Sequence, residues 1–396
     1  MRKLHLISAM YSTKGHGFEY VRNFCDNLKS EFNIILHLAS DTEIDTPPNI
    51  KVNYTGVNYV KTDAKNFVKY GKFAPYFRAI MKQYVSYCYY KKIVKSGIIQ
   101  KNDLVYIMDY DVIPLLTLIK KLNKKGVIKT FLWIHSAKFQ SKDIIYSLYK
   151  SVFKYIFNNK ILNNIQGIVV NGKYIKSEIS KFLKIQDHKI HIIQYPSSIP
   201  FKKVSKPLAR KELGLKQNDN VILFFGMLRK DKNIEFTIEN VSKSNKEPKL
   251  IIAGSEASVT KEDIDKWITK HNMKNYMLDI DYISEEKMAL YYSCSDLLIL
   301  TYELESGSQS GPLSLAREFE LPALVTNTGE IGKYVIDNNV GLTADVVGEN
   351  SFVKKIDYFF NMSNDEQEGL KKSLITAKDK FSWKEAKKKY LILFDV

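Results

Sequence analysis

The stretch from residue 296 to residue 332, DLLILTYELESGSQSGPLSLAREFELPALVTNTGEIG, constrains the fold most strongly. Its first apolar run, 296–300, predicts a buried strand, and a polar loop separates this run from a short predicted helix at 313–320. A second apolar run at 323–326 predicts the next strand. Strand, loop, helix and strand in this order form one parallel βαβ unit.

The loop of this unit, residues 303–311, has the composition of an anion site. Pro312 is expected at the first helical position, and Ser310 and Gly311 before it are residue types that cap helices. A glycine-bearing loop and a helix N-terminus direct backbone N–H groups and a positive dipole end at one point, which suits a phosphate. An ordinary capped βα turn is the alternative.

Apolar runs alternate with helix-like segments along the whole chain, which predicts the α/β class with doubly wound parallel sheets. Helices are expected at 18–31, 173–183 and 285–292. The predicted strands besides those above are 4–10, 33–40, 104–108, 127–134, 166–170, 189–194, 221–225 and 250–253.

The chain length of 396 residues predicts two domains, at roughly 100–200 residues per domain. Residues 196–209 hold three prolines beside serines and lysines, so we interpret this segment as the linker. The predicted domains are therefore 1–195 and 210–382.

Charge and cysteine content narrow the possible environments. A formal net charge of +17 favours a polyanionic partner such as nucleic acid, an acidic membrane surface or a phosphorylated ligand. Three widely spaced cysteines form no disulfide or zinc pattern, which favours a reducing cytosol. The short apolar run near the N-terminus passes into a βα pattern, so we interpret it as a strand rather than a signal peptide. No apolar run is long enough to predict a transmembrane helix.

Two segments, 61–101 and 138–160, interleave Lys and Arg with Tyr and Phe. Surface helices with solvated lysines and aromatic core faces are one interpretation. An interfacial patch for anionic lipid at the inner face of the membrane is the second. Nucleic-acid binding is the third, but no recognised nucleic-acid module accompanies the charge.

The loop after the first predicted strand holds Gly15-His16-Gly17. Tyr20 occupies the place of the third glycine of a dinucleotide fingerprint, which argues against a nicotinamide site. A glycine loop that lets a ligand approach the backbone remains the expectation.

Other polar residues follow strands of the first half. Asp109 and Asp111 follow the strand at 104–108, and such a pair can hold a divalent cation with a nucleotide diphosphate. Because so short a motif recurs by chance in this chain, we predict no metal. His135 follows the strand at 127–134, at the sheet edge where ligand crevices form; a hydrogen-bonded structural histidine is the alternative.

In the second half, two strands end in glycine. Gly226 follows one and Gly254 the other, and both face the same expected crevice. Arg229 and Lys232 stand in the loop after Gly226. A guanidinium fork and an ammonium point charge both suit a diphosphate.

Together these segments resemble a retaining glycosyltransferase of the GT-B fold, family four. The resemblance is carried in order by FFGMLRKDKN, LIIAGS, SCSDLLIL, SGSQSGPLSLAREFELPALVTNTGEIG and FSWKEAKKKYLILF. It implies two Rossmann-like doubly wound parallel-sheet domains facing a central cleft. Residues 1–195 with a crossover helix at 383–396 would form the acceptor-side domain, and residues 210–382 the nucleotide-sugar donor domain.

The resemblance also implies roles for single residues. Arg229 and Lys232 would hold the donor diphosphate, and His135 would lie near the donor sugar. The sugar-binding glutamate would be Glu305 or Glu303, with Glu305 favoured as the nearer to the helix. The remaining donor-site positions would be Gly15 and His16 near the reacting centre, Gly226 at the strand end before the basic loop, Gly254, Tyr282 and Ile283 along the nucleobase, and Ser310, Gly311, Pro312 and Leu313 at the helix N-terminus.

The chain departs from the family pattern at several positions. Met227 stands where a second basic residue is common, and Asn233 replaces the glycine of Lys-Gly. Leu315 or a neighbour falls where the ribose-binding glutamate is expected, and Glu318 is then expected to be a helix-surface charge. Gly332-Lys333 replaces a common Pro-Glu.

The implied activity is transfer of a sugar from a nucleotide sugar, UDP-linked by preference, to a hydroxyl of a glycan or lipid-linked acceptor. No cofactor or metal is expected, and bacterial surface polysaccharide or glycoconjugate synthesis is the expected setting. The alternatives are a nucleotide-sugar epimerase or hydrolase of the same fold, a basic nucleic-acid-binding protein, and a catalytically silent scaffold.

Overall fold

The computed structural model divides the chain into two compact units. Unit 1 comprises Met1–Asn171, Lys176–Gln194 and Ala386–Val396, and unit 2 comprises Gly172–Ile175 and Tyr195–Glu385. The structure describes residues 1–8, 16–39, 50–127, 129–135, 144–196, 199, 201–303, 310–346 and 351–395.

Unit 1 contains a seven-stranded sheet in which every neighbouring pair is parallel. Its strands are β1 (Arg2–Ser8), β2 (Phe32–Leu38), β3 (Lys51–Tyr54), β4 (Leu104–Ile107), β5 (Thr130–Ile134), β6 (Gly167–Val170) and β7 (Ile190–Ile192). The spatial order is β3-β2-β1-β4-β5-β6-β7. The direction of winding therefore reverses between β1 and β4, as in a Rossmann sheet.

In the described residues, the α-helices between these strands are α1 (His16–Leu28), α2 (Ala74–Lys95), α3 (Val112–Lys124), α4 (Ile144–Ile156) and α5 (Lys173–Phe182). The central strand β4 is buried along its whole length, because a parallel sheet is covered on both faces. Short 3₁₀ or π segments lie at Tyr59–Thr62, Ala64–Phe73, Phe157–Ile161, Leu162–Asn164 and Asp187–Lys189.

Strand β5 begins at Thr130 and not at Val127 as the apolar run predicts. The N–H of Val127 donates to the carbonyl oxygen of Leu122, and that of Gly126 to Asn123. These two bonds, with Gly126 at φ 74°, form a Schellman motif that closes α3. Val127 therefore belongs to the helix end.

Unit 2 contains a six-stranded parallel sheet of the same topology, ordered β10-β9-β8-β11-β12-β13. Its strands are β8 (Val221–Phe225), β9 (Lys249–Ala253), β10 (Tyr276–Asp279), β11 (Leu297–Leu300), β12 (Ala323–Thr326) and β13 (Gly341–Ala344). Its helices are α6 (Lys206–Glu212), α7 (Ile234–Ser242), α8 (Lys261–Lys270), α9 (Glu285–Cys294), α10 (Gly311–Glu318), α11 (Gly329–Asn338), α12 (Ser351–Phe359) and α13 (Asn364–Lys380).

Alternate residues of the unit 2 strands enter two separate apolar cores. Leu223 of β8 packs with residues of α9, α10, α11 and α13, whereas Phe224 beside it packs with residues of α7, α8 and α12. Both sheet faces are thus covered by helices, which confirms the doubly wound α/β class predicted from the sequence.

Two boundaries differ from the sequence-based expectation. Helix α10 begins at Gly311 with Ser310 as its cap, so Pro312 is the second helical residue and not the first. Helix α6 begins at Lys206, within the stretch interpreted as a linker. Pro207 lies in the first turn of this helix, where no backbone N–H is needed, so here proline begins a helix.

The last helix, α14 (Trp383–Leu393), carries the chain from unit 2 to unit 1. Tyr390 and Phe394 belong to unit 1 and are fully buried within it. The Tyr390 hydroxyl lies 3.2 Å from that of Tyr106 and also bonds that of Tyr20. Among the described residues, no helix is both long and apolar enough to cross a membrane.

Candidate active site

At the ends of β8 and β9, two glycines leave the backbone without side chains. Gly226 has φ 99° and Gly254 φ 151°, conformations that favour glycine. A Cβ on Gly254 would lie 2.4 Å from the carbonyl oxygen of Gly226. A Cβ on Gly226 would lie 2.9 Å from Lys232 Nζ and 3.4 Å from Pro312 Cγ. The backbone of these two glycines, the loop after β8 and the start of α10 therefore meet at Gly226.

Lys232 is the buried cation of this site. It is 4% exposed, and its ammonium donates to the carbonyl oxygen of Phe225 at 3.2 Å. Within the described part of the chain, no carboxylate oxygen lies within ion-pair distance of this ammonium. Burial lowers the pKa of Lys232 to about 7, with a smaller lowering by Arg229 that Asp231 opposes. An anion beside Gly226 would supply the missing countercharge.

Arg229 is held in place by Asp231. The Nε and one terminal nitrogen of Arg229 donate to the two carboxylate oxygens of Asp231 at 3.0 and 3.1 Å. The Asp231 carbonyl oxygen accepts the N–H of Glu303 at 3.0 Å, which ties this loop to the segment after β11. Arg229 remains 48% exposed, so its guanidinium keeps donors for a ligand.

The loop that carries Lys232 is fixed to β11 by Thr301. The Thr301 hydroxyl is fully buried and lies 2.9 Å from the carbonyl oxygen of Lys232 and 3.1 Å from that of Asn233. Asn233 adopts the left-handed conformation at φ 50°. Asparagine tolerates this conformation better than most residues, so it can replace the glycine of the family's Lys-Gly without changing the backbone.

The N-terminus of α10 is built on a buried polar pair. Ser310 Oγ accepts the N–H of Leu313 at 3.3 Å and lies 3.0 Å from the hydroxyl of Tyr302. Burial raises the pKa of Tyr302 to about 12, so this hydroxyl keeps its proton near neutral pH. The Tyr292 hydroxyl donates to the carbonyl oxygen of Pro312 at 3.2 Å. These contacts position the helix end next to Gly226.

Packing in unit 2 explains one departure from the family pattern and corrects one expectation. Leu315 is buried in the apolar core of unit 2, where a carboxylate would lack solvation. The expectation that Glu318 is a surface charge is wrong, because its side chain is only 12% exposed and lies 3.9 Å from Arg317 Nε. Glu320, two residues before Pro322, has φ 55°, and its carboxylate pairs with Lys378 at 2.7 Å.

Of the positions expected near the nucleobase, Gly254 follows β9, whereas Tyr282 and Ile283 follow β10. Tyr282 is 71% exposed, whereas Ile283 beside it is 7% exposed and packs in the apolar core. Asp279, at the end of β10, accepts hydrogen bonds from Lys287 at 2.8 Å and from Tyr291 at 2.6 Å.

The structure describes only some of the unit 1 residues that the sequence predicts for the donor site. His135 is exposed directly after β5, with its ring centroid 5.4 Å from that of Trp133. His16 is the first residue of α1, while Gly15 and Glu305 lie outside the described residues. Glu303 is described and exposed.

The two aspartates after β4 have protein partners. Asp109 accepts a hydrogen bond from Ser8 at 2.6 Å, and Asp111 accepts from Ser86 and, at 3.2 Å, from Gln83. Burial raises the pKa of Asp111. Both carboxylates thus serve as hydrogen-bond acceptors in unit 1.

Sequence reasoning did not identify Asp231, Thr301 and Tyr302. Asp231 carried a signal, since an acidic residue two positions after Arg229 can fold back on it. The role of Tyr302 depends on the path of the loop before Ser310, which no local pattern reveals.

Residues 205–374 match the family model described as Glycosyl transferases group 1. The match covers most of unit 2 and confirms the resemblance predicted from the strand ends. The assignment to family four stays a prediction. No curated protein sequence matches the chain.

Solved structures with a similar fold span the whole chain. Sucrose-phosphate synthase from Thermosynechococcus elongatus superimposes with a TM-score of 0.77 at 14% identity, covering 100% of this chain and 98% of its own. Anabaena Alr3699/HepE in complex with UDP gives 0.72 at 13% identity, with 100% of both chains covered. A glycosyltransferase from Rickettsia africae ESF-5 gives 0.70 at 15% identity, covering 100% and 98%. These similarities confirm the GT-B fold predicted from the sequence.

We predict that the contribution of Lys232 to the stability of the ligand-free protein rises with pH between about 7 and about 10. The folded pKa of Lys232 is about 7, and an unfolded lysine has a pKa of about 10.4, so the unfolded state binds more protons in this window. The gain should be at most a few kcal/mol, at about 1.4 kcal/mol per unit of pKa difference.

The measurement is the melting temperature of the full chain across this range in phosphate-free buffer. Lys232→Met should make the slope of melting temperature against pH less positive than in the wild type, while the matched variant Lys230→Met in the same loop should keep the wild-type slope. Equal slopes for all three proteins would contradict the buried-cation assignment.

Proposed function

We propose that this chain, which carries a glycosyl transferases group 1 segment on a GT-B fold, transfers a sugar from a nucleotide sugar to a hydroxyl group with retention of configuration. The observation that carries the proposal is the position of Lys232. Its buried ammonium lies beside the bare backbone of Gly226 and the first turn of α10. A cation, unobstructed backbone and a helix N-terminus at one point suit the diphosphate of a donor.

The proposed chemistry follows from where charge develops. The sugar passes through an oxocarbenium-like transition state while negative charge builds on the leaving diphosphate. Lys232, Arg229 and the α10 dipole would stabilise this charge, and they are held in position before the reaction by Phe225, Asp231 and Ser310. In a front-face reaction the leaving phosphate accepts the acceptor proton, so no dedicated protein base is required.

The donor sugar needs its own contacts. In this proposal His135 and one of Glu303 and Glu305 position it through its hydroxyls, with Glu305 favoured. UDP is the favoured nucleotide, and a hexose the favoured sugar. Support for UDP comes from the solved relatives: HepE was determined with UDP and with UDP-glucose.

The acceptor in this proposal is a glycan or a lipid-linked hydroxyl in bacterial surface polysaccharide or glycoconjugate synthesis, at the inner face of the cell membrane. The formal charge of +17 supports an anionic surrounding. Relatives of similar fold include a lipopolysaccharide outer core galactosyltransferase, WaaB, at 15% identity and a TM-score of 0.68.

The test of the proposal is a thermal-shift screen of nucleoside diphosphates and nucleotide sugars. UDP or a UDP-sugar should raise the melting temperature by mass action, equivalent to about 2.7 kcal/mol at a hundredfold excess over Kd. Lys232→Met should lose most of this shift, and Lys230→Met should keep it. If no nucleoside diphosphate stabilises the protein, the proposal fails. If the donor alone yields an epimer or free sugar in quantity, the epimerase or hydrolase alternative replaces transfer.

Arg229→Ala should lower the turnover of the donor found in the screen by about 10²–10³-fold, the scale of losing one electrostatic donor to the transition state. Its partner Asp231 remains, so the loop keeps its bond to Glu303. Lys230→Ala removes a neighbouring exposed charge, and its turnover should stay near that of the wild type. Near-normal turnover by Arg229→Ala would remove Arg229 from the mechanism.

Transfer should continue in EDTA, because in this mechanism protein cations carry the diphosphate. The measurement is the initial rate after chelation and after adding back Mg²⁺ or Mn²⁺. A strict requirement for a divalent ion would bring Asp109 and Asp111 back as ligand candidates, and Asp109→Asn would then abolish the metal response.

A further inference from the structure

Helix α2 has a second apolar face that is open to solvent. Phe77, Ile80, Tyr84 and Tyr87 recur at spacings of three and four residues and therefore lie along one side of the helix. They are 47%, 67%, 63% and 38% exposed. Soluble proteins scatter exposed apolar residues singly, so a continuous stripe indicates contact with something else.

The opposite side of α2 makes the core contacts. Val85, Tyr89, Tyr90 and Ile93 are buried, with exposures of 4%, 0%, 1% and 0%. The exposed stripe therefore is not needed to hold the helix on unit 1.

The 3₁₀ segment before α2 extends the stripe. Val68 is 73% exposed and Phe73 54%. The ring of Tyr70 lies 4.6 Å from that of Phe77, which joins the segment Ala64–Phe73 to the helix. We call the exposed side chains between residues 59 and 95 the α2 surface.

The α2 surface is strongly basic. Residues 59–95 contain nine Lys and Arg against one Asp. Lys61, Lys65, Lys69, Lys72 and Lys91 are exposed, and in the described ranges no carboxylate lies within ion-pair distance of them. Three ammonium groups lie over neighbouring rings, Lys69 on Tyr70 at 5.1 Å, Lys72 on Phe73 at 5.4 Å and Lys91 on Tyr87 at 5.8 Å.

We propose that the α2 surface binds the interface of an anionic phospholipid membrane. The lysine ammoniums would contact lipid phosphates, and the apolar stripe would enter the boundary between headgroups and acyl chains, where Tyr and Phe are favourable. The charge decides against a second copy of this chain, because two such surfaces would repel. The aliphatic residues of the surface favour lipid over nucleic acid, because Ile80 and Val68, 67% and 73% exposed, offer neither stacking nor hydrogen bonds to bases.

This surface lies on unit 1, whereas the candidate diphosphate site lies on unit 2. Its value to catalysis, presenting the chain to lipid-linked acceptors, rests on the proposed function. Lipid binding itself does not, because it is measured without donor or acceptor. Failure of one can therefore be told from failure of the other.

The experiment is co-sedimentation of the full chain with vesicles. We expect binding to phosphatidylcholine vesicles that contain about 30% phosphatidylglycerol, no binding to pure phosphatidylcholine, and release as salt is raised from about 0.1 M towards 1 M. Ile80→Ser/Tyr84→Ser should lower the partition coefficient at least about 10-fold. The matched control Leu208→Ser/Ile375→Ser, at exposed apolar positions of unit 2, should bind as the wild type does.

Lys65→Gln/Lys69→Gln/Lys72→Gln should lower partitioning by about 100-fold, at about fivefold for each lysine near the surface. The fluorescence of the tryptophan introduced by Ile80→Trp should be quenched by brominated acyl chains. The fluorescence of the tryptophan introduced by Ile375→Trp should not be quenched. All variants change exposed side chains, so circular dichroism and melting should match the wild type.

Three results would overturn the proposal. One is that the folded wild-type protein fails to bind the anionic vesicles, or that the Ile80→Ser/Tyr84→Ser variant binds them as strongly as the wild type does. The second is dimerisation that this variant abolishes. The third is salt-dependent RNA binding that displaces the vesicles and does not depend on Ile80 and Tyr84.

Discussion

The burial of one ammonium group, that of Lys232, is the constraint around which the unit 2 site is built. Removing an ammonium from water without a carboxylate partner costs several kcal/mol, and the lowered pKa expresses this cost. Only one carbonyl oxygen, that of Phe225, accepts a hydrogen bond from it in the described residues. The neighbouring chain must therefore hold the lysine in place. Thr301 does so by bonding the lysine's own carbonyl oxygen, and Asp231 by tying the loop to Glu303.

The same constraint explains the glycines. A side chain on Gly226 would contact the ammonium, and one on Gly254 would collide with the Gly226 carbonyl group. The space beside Lys232 is thus open because Gly226 and Gly254 have no side chains, and the charge of Lys232 makes this space suitable for an anion. Such an arrangement lowers stability in the free protein and gains it back when an anion is bound, which is the expected behaviour of a preorganised binding site.

Much of this could be predicted from the sequence, because parallel strands buried on both faces appear as short apolar runs and their ends carry the glycines. The central strands β8, β9, β11 and β12 were predicted in this way. Strands β10 and β13 were not, because Tyr276–Asp279 and Gly341–Ala344 are edge strands that are only partly buried and lack a continuous apolar run. The site residues identified were those with unusual chemistry for a loop. Asp231, Thr301 and Tyr302 were missed because their importance lies in which backbone group they reach.

Helix α2 shows a second reason why part of the structure could not be predicted from the sequence. Its apolar residues lie on two opposite faces, so the sequence of Ala74–Lys95 has no single amphipathic direction and fits a fully buried helix as well as an interfacial one. Burial distinguishes the two faces: Tyr89 and Tyr90 face unit 1, whereas Ile80 and Tyr84 face water. An exposed apolar stripe promotes aggregation unless charge opposes it. The surrounding lysines supply that charge, and on an anionic surface the same lysines become attractive. The basic composition therefore answers two needs of one surface, solubility when it is free and attraction when a membrane is near.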